Sequence, residues 1–403
     1  VVSASRWKHL VAGFAVTLCL GVVYAYSVLR VHLEEFFSET AERELSALEL
    51  QAGYTVFLAV YSLSVMAGGR ASEALGAKKT LLAGGSLLLL AWTLSSLAET
   101  PLEFAAPYGV LGGLGSGLAF SVVVSAAVKW FPEKSGFASG LAISGFGLSP
   151  LISGPLIDLL VENLGLAWAL RALGLAVFAV IASASVVIDF PPVAEKPTAG
   201  GSPATARDLA SLWLLFCLGT AVGLSTVGVS KSAGLEVAER AGLSLEEASR
   251  ALTVAVSVFS VFNAAGRPLF GLLVDKLGVS RAAVIAYSLA GAALVAFYLG
   301  SSSLVVYAVA YSALWATLGG WLAISSGATR AVFGVESYHR VYGYVFTAYG
   351  AGALLGNLLL NGARDALGDY ATAGLLLTPL LAVGAVVALL TPPREAARGS
   401  SRV

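Results

Sequence analysis

Runs of about twenty apolar residues recur along this chain, and that recurrence limits the fold more than any other feature. A segment that crosses a bilayer must satisfy its own backbone, and a helix of about 20 residues does so while matching the hydrocarbon thickness. Twelve such runs lie over about 9–31, 50–70, 79–98, 103–129, 135–160, 165–188, 209–231, 247–274, 280–300, 303–328, 340–363 and 369–391. Composition agrees: 57% of residues are hydrophobic and 12% charged, which is a polytopic membrane protein and not a soluble one. Formal charge is balanced and no basic tail stands out, so nothing here addresses nucleic acid. Cys19 and Cys217 both lie in apolar runs, and only three histidines occur, far apart, so neither a disulfide framework nor a metal cluster is implied. With no P-loop or nucleophile elbow either, an enzyme is not expected.

Residues 189–208 interrupt the apolar pattern with Pro, Gly, Ala and charge, the composition of a flexible linker. Six runs precede it and six follow. The expected organisation is a six-helix bundle over 1–188, a cytoplasmic linker over 189–208, a second bundle over 209–391 and a cytoplasmic tail over 392–403. Lysine and arginine set the orientation. With the N-terminus inside, 16 of the 24 fall in inner segments and 7 in outer ones, so both termini are expected in the cytoplasm of a multi-pass cell-membrane protein. The outer loop 32–49 is acidic.

The remaining cation, Arg267, lies inside the run Ala251–Asp275. A central arginine costs about 2.5–3.5 kcal/mol on insertion scales, so it needs a reason. Asn263 sits one turn earlier on the same face, Ser260, Ala264 and Gly271 leave room near it, and Pro268 bends the helix just after it. The acidic residues all fall in loops or at span ends, so no membrane-embedded carboxylate stands ready to pair with Arg267. The bland alternative is a side chain that snorkels toward the cytoplasmic interface. Asp275 is 8 residues on, about 12 Å, and a long side chain covers only part of that.

Two segments at equivalent places in the halves look alike. After the second span come Gly69, Glu73, Gly76, Lys78 and Lys79; after the eighth come Gly271, Asp275, Gly278 and Arg281. Both read G-x3-acid-x2-G followed by bases. The glycines permit close helix contact and a tight turn, and the acid is placed to cap a helix or to pair with a base across the halves as a gating latch. An ordinary positive-inside turn is the plainer reading of one copy. Two copies imply a repeated six-span unit with a site between the halves.

On these motifs the chain resembles the major facilitator superfamily over essentially its whole length, with Glu73 in place of the commoner Asp. Three further places resemble the monocarboxylate carriers and the oxalate–formate exchangers of that superfamily: Gly21–Tyr26, Lys129–Ala142, and Phe262–Pro268, where an acid or Asn precedes a substrate-binding Arg by four residues. The resemblance implies an all-α fold of twelve transmembrane helices in two pseudo-symmetric bundles, acting as a secondary active transporter by alternating access. It departs in two ways: animal monocarboxylate carriers have Asp at the place of Asn263 and a span-1 Lys at the place of Val28, and the exchangers carry a Lys in span 11, where residues 341–363 hold no Lys or Arg.

Arginine's planar fork fits one carboxylate through two hydrogen bonds, and one embedded positive charge balances one negative charge. The expected substrate is therefore a small monocarboxylate, lactate- or pyruvate-like, with an oxalate/formate-type exchanger as the alternative. Asn263 either orients the guanidinium or hydrogen-bonds the substrate, its plainer role being an interhelical hydrogen bond. Tyr24, Val28, Phe120, Tyr311, Trp315, Thr347 and Tyr349 are the other candidate substrate-binding residues of the cavity, although for each aromatic taken singly packing or an interfacial belt is the plainer reading; Trp130 and Trp168 read as interface anchors. No cofactor is expected beyond a coupling proton, which the resemblance favours and Asn263 leaves without its usual carrier; His339 is one substitute. An uncompensated arginine favours exchange instead. A monomeric functional unit is expected. A sugar or drug carrier of the same fold, or a transport-dead sensor, are the rival readings.

Overall fold

The computed structural model describes residues 2–191 and 205–390, the side chains of 2–5, 133, 135–136 and 335–340 aside. His339 and the tail from Pro392 thus fall outside the described residues. The described chain is all helix and loop. The first bundle holds α1 (Arg6–Ala41), α2 (Ala47–Leu75), α3 (Ala77–Ser95), α4 (Pro101–Trp130), α5 (Ser135–Leu164) and α6 (Leu166–Val187). The second holds α7 (Ala206–Gly228, prolonged by Ser230–Arg240), α8 (Leu245–Leu277), α9 (Val279–Leu299), α10 (Leu304–Gly334), α11 (Val341–Leu367) and α12 (Tyr370–Leu390). Among the described residues, eleven helices are long and apolar enough to cross a bilayer. The twelfth helix, α3, carries Lys78 and Lys79 at its start, which lower its mean hydropathy, and it packs between α4 and α6.

Local chemistry sets the helix ends. Ser46 and Glu49 form a capping box at the start of α2, and Thr205 and Asp208 form another at the start of α7. The last residues of the stretch read as linker therefore belong to a helix start. Asp369 caps α12 by accepting from the Thr372 amide at 2.8 Å. The two loop signatures share one backbone conformation: Gly76 has φ 82° and ψ 162°, Gly278 φ 83° and ψ 167°, and each amide donates to the helix before it, at Ser72 O and Val274 O. A side chain there would be strained, so these two glycines make the turn. Gly69 and Gly271 do not make the close helix contact expected of them. Nothing lies within 4 Å of a Cβ on Gly69, and only Ala323 at 4.0 Å faces Gly271. Glu73, Lys78, Lys79, Asp275 and Arg281 are exposed, and no ion pair to Glu73 occurs among the described residues.

An even number of crossings puts both ends of the described chain on one face, called here the terminal face. On the opposite, distal face, two helices run farther than hydropathy implies. α1 continues to Ala41 and α7 to Arg240. Their distal ends, with those of α5, α8, α11 and α12, enclose a cavity of about 1140 Å³. Helix irregularities cluster below it. Gly21–Ala25 is a 3-10 turn inside α1, and Pro150 and Pro155 lie inside α5. Pro150 cannot donate to Phe146 O, and Gly21 packs directly against that freed carbonyl.

Candidate functional site between the two bundles

α5 and α8 face each other along a seam between the bundles. On α8, Thr253, Ser257, Ser260, Asn263 and Arg267 follow at helical spacing, so one polar stripe runs along the face turned to α5. The first four are buried. From the other side come Ile143, Gly147, Pro150, Gly154 and Asp158. Ser257 donates to Pro150 O at 3.1 Å, and a Cβ on Gly154 would lie 3.3 Å from Ser257 Oγ. By helix rise the stripe is about 21 Å long.

Arg267 ends it. Its Nη1 donates to the Ile143 carbonyl at 2.6 Å, its Nη2 to Asn263 Oδ1 at 3.4 Å, and its buried Nε has no hydrogen-bond partner. No carboxylate pairs with it among the described residues. It reaches across to the other bundle and not toward the interface, against the snorkelling alternative. Asn263 in turn donates to Trp315 O at 3.1 Å, so its amide both tethers α8 to α10 and steadies the guanidinium. Gly147 is what lets the two bundles meet here: a Cβ on it would stand 2.8 Å from Asn263 Oδ1 and 3.0 Å from Arg267 Nη2.

An aromatic layer joins the bundles beside this pair. The Tyr24 and Tyr349 hydroxyls are 2.7 Å apart, one from each bundle. Tyr24 also packs edge-on against Phe146 at 4.9 Å and Trp315 at 6.3 Å between centroids. Phe120 stacks on Phe346 at 6.1 Å, and Tyr61 meets Phe120, Phe146, Phe346 and Tyr349. Tyr24, Tyr61, Tyr342 and Tyr349 lie within electrostatic reach of Arg267.

Of the residues expected from sequence, Arg267, Asn263, Tyr24, Phe120, Trp315 and Tyr349 are thus brought together. Val28 is fully buried one turn distal of Tyr24, with Gly154 close by. Two others lie elsewhere. Thr347 turns outward to α7, accepting from Trp213 Nε1 at 2.9 Å, and Tyr311 packs among Tyr307, Phe259 and Phe297 inside the second bundle. Trp130 is a staple more than an anchor: it stacks on His9 at 4.4 Å and donates to Asp189 O. Trp168 remains exposed, with Arg171 over its ring.

Tyr61, Phe146 and Phe346 escaped the sequence reading. A signal existed for two of them: Tyr54, Phe57 and Tyr61 share a face of α2, and Tyr342, Phe346 and Tyr349 a face of α11. A larger omission is the distal end of the seam. The Asp158 carboxylate accepts from His32 Nε2 at 2.7 Å, Thr253 Oγ1 at 2.6 Å and Lys231 Nζ at 3.3 Å, gathering α1, α5, α7 and α8. Lys231 is 1% exposed, and so is a cation buried in the protein with a carboxylate partner, Asp158, which lies at the end of its span as expected of the acids.

Two six-helix bundles that meet along a polar seam, with a cavity at one end and a half-buried arginine without a carboxylate partner at the other, define a twelve-helix membrane carrier. The chain belongs to the major facilitator superfamily, whose family model matches residues 9–357. It is 25% identical to the oxalate:formate antiporter of Oxalobacter formigenes over 87% of this chain and 83% of that one. It is also 25% identical to human monocarboxylate transporter 11, over 96% of this chain and 83% of that protein. Its fold matches the crystal structure of a bacterial homolog of the human lysosomal transporter Spinster with a TM-score of 0.70, at 14% identity and 96% coverage of both chains. The protein is a multi-pass membrane transporter of that superfamily.

Proposed function

We propose that this transporter carries a small monocarboxylate, lactate- or pyruvate-like, by alternating access, with the substrate carboxylate held by Arg267. One observation carries the reading: a permanently charged guanidinium, half-buried between the bundles, is held only by neutral oxygens and keeps its buried Nε without a partner. A buried charge left without a counter-charge is expensive, so the missing partner is a substrate anion that comes and goes. Arg267 offers one positive charge, and the rim of the distal cavity is acidic, with Glu34, Glu35, Glu39, Glu239 and Glu246. A dianion is repelled there twice as strongly and would leave one charge unbalanced at Arg267. The name of one relative, a monocarboxylate transporter, points the same way; that of the other, an oxalate:formate antiporter, joins the monocarboxylate formate to the dicarboxylate oxalate and supports the exchanger as the alternative.

In this conformation Arg267 does not line the cavity. The carboxylate would reach it when the Tyr24–Tyr349 contact parts, displacing Ile143 O and drawing the fork onto itself. Parting of the Arg267–Ile143 bond would in turn loosen α5 from α8 toward the terminal face, taken here as cytoplasmic. Coupling to a proton is the favoured mode. Exchange is the second reading, and Arg267 itself favours it, because an empty return would move an uncompensated cation through a dry seam.

Thermal stabilisation of the purified protein by mono- and dicarboxylates is the test. Lactate or pyruvate is expected to raise Tm in proportion to RT ln(1 + [L]/Kd), and oxalate to do less. No shift from any carboxylate would sink the reading, and a larger shift from oxalate would replace it with the exchanger. In proteoliposomes, stimulation of uptake by an inward acid gradient marks symport; trans-acceleration without it marks exchange.

A further inference from the structure

Arg267 is not the only arginine with this signature. Arg30, on α1, is 2% exposed, yet it lines the floor of the distal cavity. Its Nη1 donates to Ser232 Oγ on α7 at 2.6 Å, its guanidinium carbon lies 5.6 Å from the Tyr370 ring centroid, and its buried Nε has no hydrogen-bond partner. The neighbouring cations are already neutralised: Lys231 by Asp158, and Arg364 by Glu236 at 3.2 Å. Arg30 has no such carboxylate among the described residues. Like Arg267, it reaches from its own bundle to a neutral oxygen of the other and keeps donors to spare.

The geometry points to Arg30 as a second carboxylate-binding subsite, a loading site at the cavity floor that holds the anion before it passes to Arg267. This inference rests on the monocarboxylate reading and adds a second station to it. The two stations cannot share one small molecule. Tyr24, whose ring lies beside the Arg267 layer, is six residues from Arg30 along α1, about 9 Å of rise, with the buried Val28 between them. A two- or three-carbon carboxylate is shorter than that. Occupation is therefore sequential. The loading site also meets a difficulty posed by the acidic rim, since a monoanion crossing it finds one unneutralised cation at the bottom, where low dielectric strengthens the attraction.

The test uses the full chain with L-lactate as the probe. Equilibrium binding is measured on the parent, Arg267→Gln, and the double variant Arg30→Gln/Arg267→Gln. The parent binds; Arg267→Gln keeps a weak, salt-sensitive site; the double variant loses it. Identical binding by the single and double variants overturns the loading site while leaving the Arg267 reading intact. No binding by the parent removes that reading, and this one with it. Uptake from the distal side gives a second readout. Arg30→Gln is expected to raise KM by roughly 10-fold, more than it lowers kcat, and the gap from the parent should narrow as ionic strength rises. Arg30→Lys keeps the charge and is expected to fall between the two; it also serves if the glutamine variant does not fold. A KM unchanged in whichever of these folds, or a gap indifferent to salt, contradicts the proposal, because a merely structural arginine would not respond to salt in this way.

Discussion

At the distal end of the α5–α8 seam, the half-buried carboxylate of Asp158 gathers three side chains, the fully buried Lys231 among them; at the other end, the guanidinium of Arg267 holds a backbone carbonyl and an amide. Both ends place a charge in low dielectric between the same two bundles. One is neutralised by the protein and the other is not. A charge the fold must keep is given a permanent partner, whereas a charge kept without one is poised for a partner from outside. The two ends should therefore fail differently, one in stability and the other in binding.

The largest effect is expected at the paired end. Asp158→Asn leaves Lys231 buried without its carboxylate, and breaking a buried pair from one side costs about 3–5 kcal/mol. Unliganded Tm should fall markedly, and adding Lys231→Met should restore most of the loss. If Asp158→Asn melts with the parent, the contrast between the ends is wrong.

Arg267→Gln should do the reverse. Unliganded stability should hold or rise, because an uncompensated cation is removed, while lactate stabilisation disappears. Truncating one partner of a buried charge pair costs about 2–5 kcal/mol, so uptake should fall by at least roughly 30-fold. Arg267→Lys keeps the charge without the fork and should retain an intermediate affinity. A large loss of unliganded Tm in Arg267→Gln would make the arginine a structural member of the seam.

How much of this was legible in the sequence follows from what each feature depends on. The spans, the two Gly76 and Gly278 turns and the pairing of Asn263 with Arg267 depend on local pattern, and local pattern found them. The charged floor does not. Reading span 1 as ending near residue 31 and span 7 near 231 placed Arg30, Lys231 and Glu236 in outer segments, but the helices continue to Ala41 and Arg240. A helix with one face on a polar cavity loses mean hydropathy without losing its hydrogen bonds, so the window stops before the helix does. Thr347 and Tyr311 failed for another cause. Which face of a spanning helix turns inward is set by packing against neighbours, and apolar sequence on all sides carries little trace of it.

Gly147→Ala probes the unpaired end more gently. The added methyl would meet Asn263 Oδ1 at 2.8 Å and Arg267 Nη2 at 3.0 Å. Overpacking of this size costs about 1–3 kcal/mol. Because the atoms displaced are those proposed to bind substrate, KM for lactate should rise by roughly 10-fold while Tm falls only slightly. A Tm loss with KM unchanged would mean that the guanidinium accommodates the methyl by moving away from any substrate position.

The smallest effect separates two uses of the hydroxyl pair. The Tyr24–Tyr349 contact at 2.7 Å spans the bundles beside Arg267 and acts either as a latch between them or as donors for substrate. A neutral buried hydrogen bond is worth about 0.5–1.5 kcal/mol net, so Tyr24→Phe and Tyr349→Phe should each change transport by no more than roughly 10-fold. A latch belongs to both residues at once, so once either hydroxyl is gone the second substitution should add little, and the double variant should match the single ones. Two hydroxyls that separately bond a substrate oxygen should give additive losses, seen in binding and not in unliganded Tm. Non-additivity would assign the pair to the gate, and additivity would move it into the binding site with Arg267.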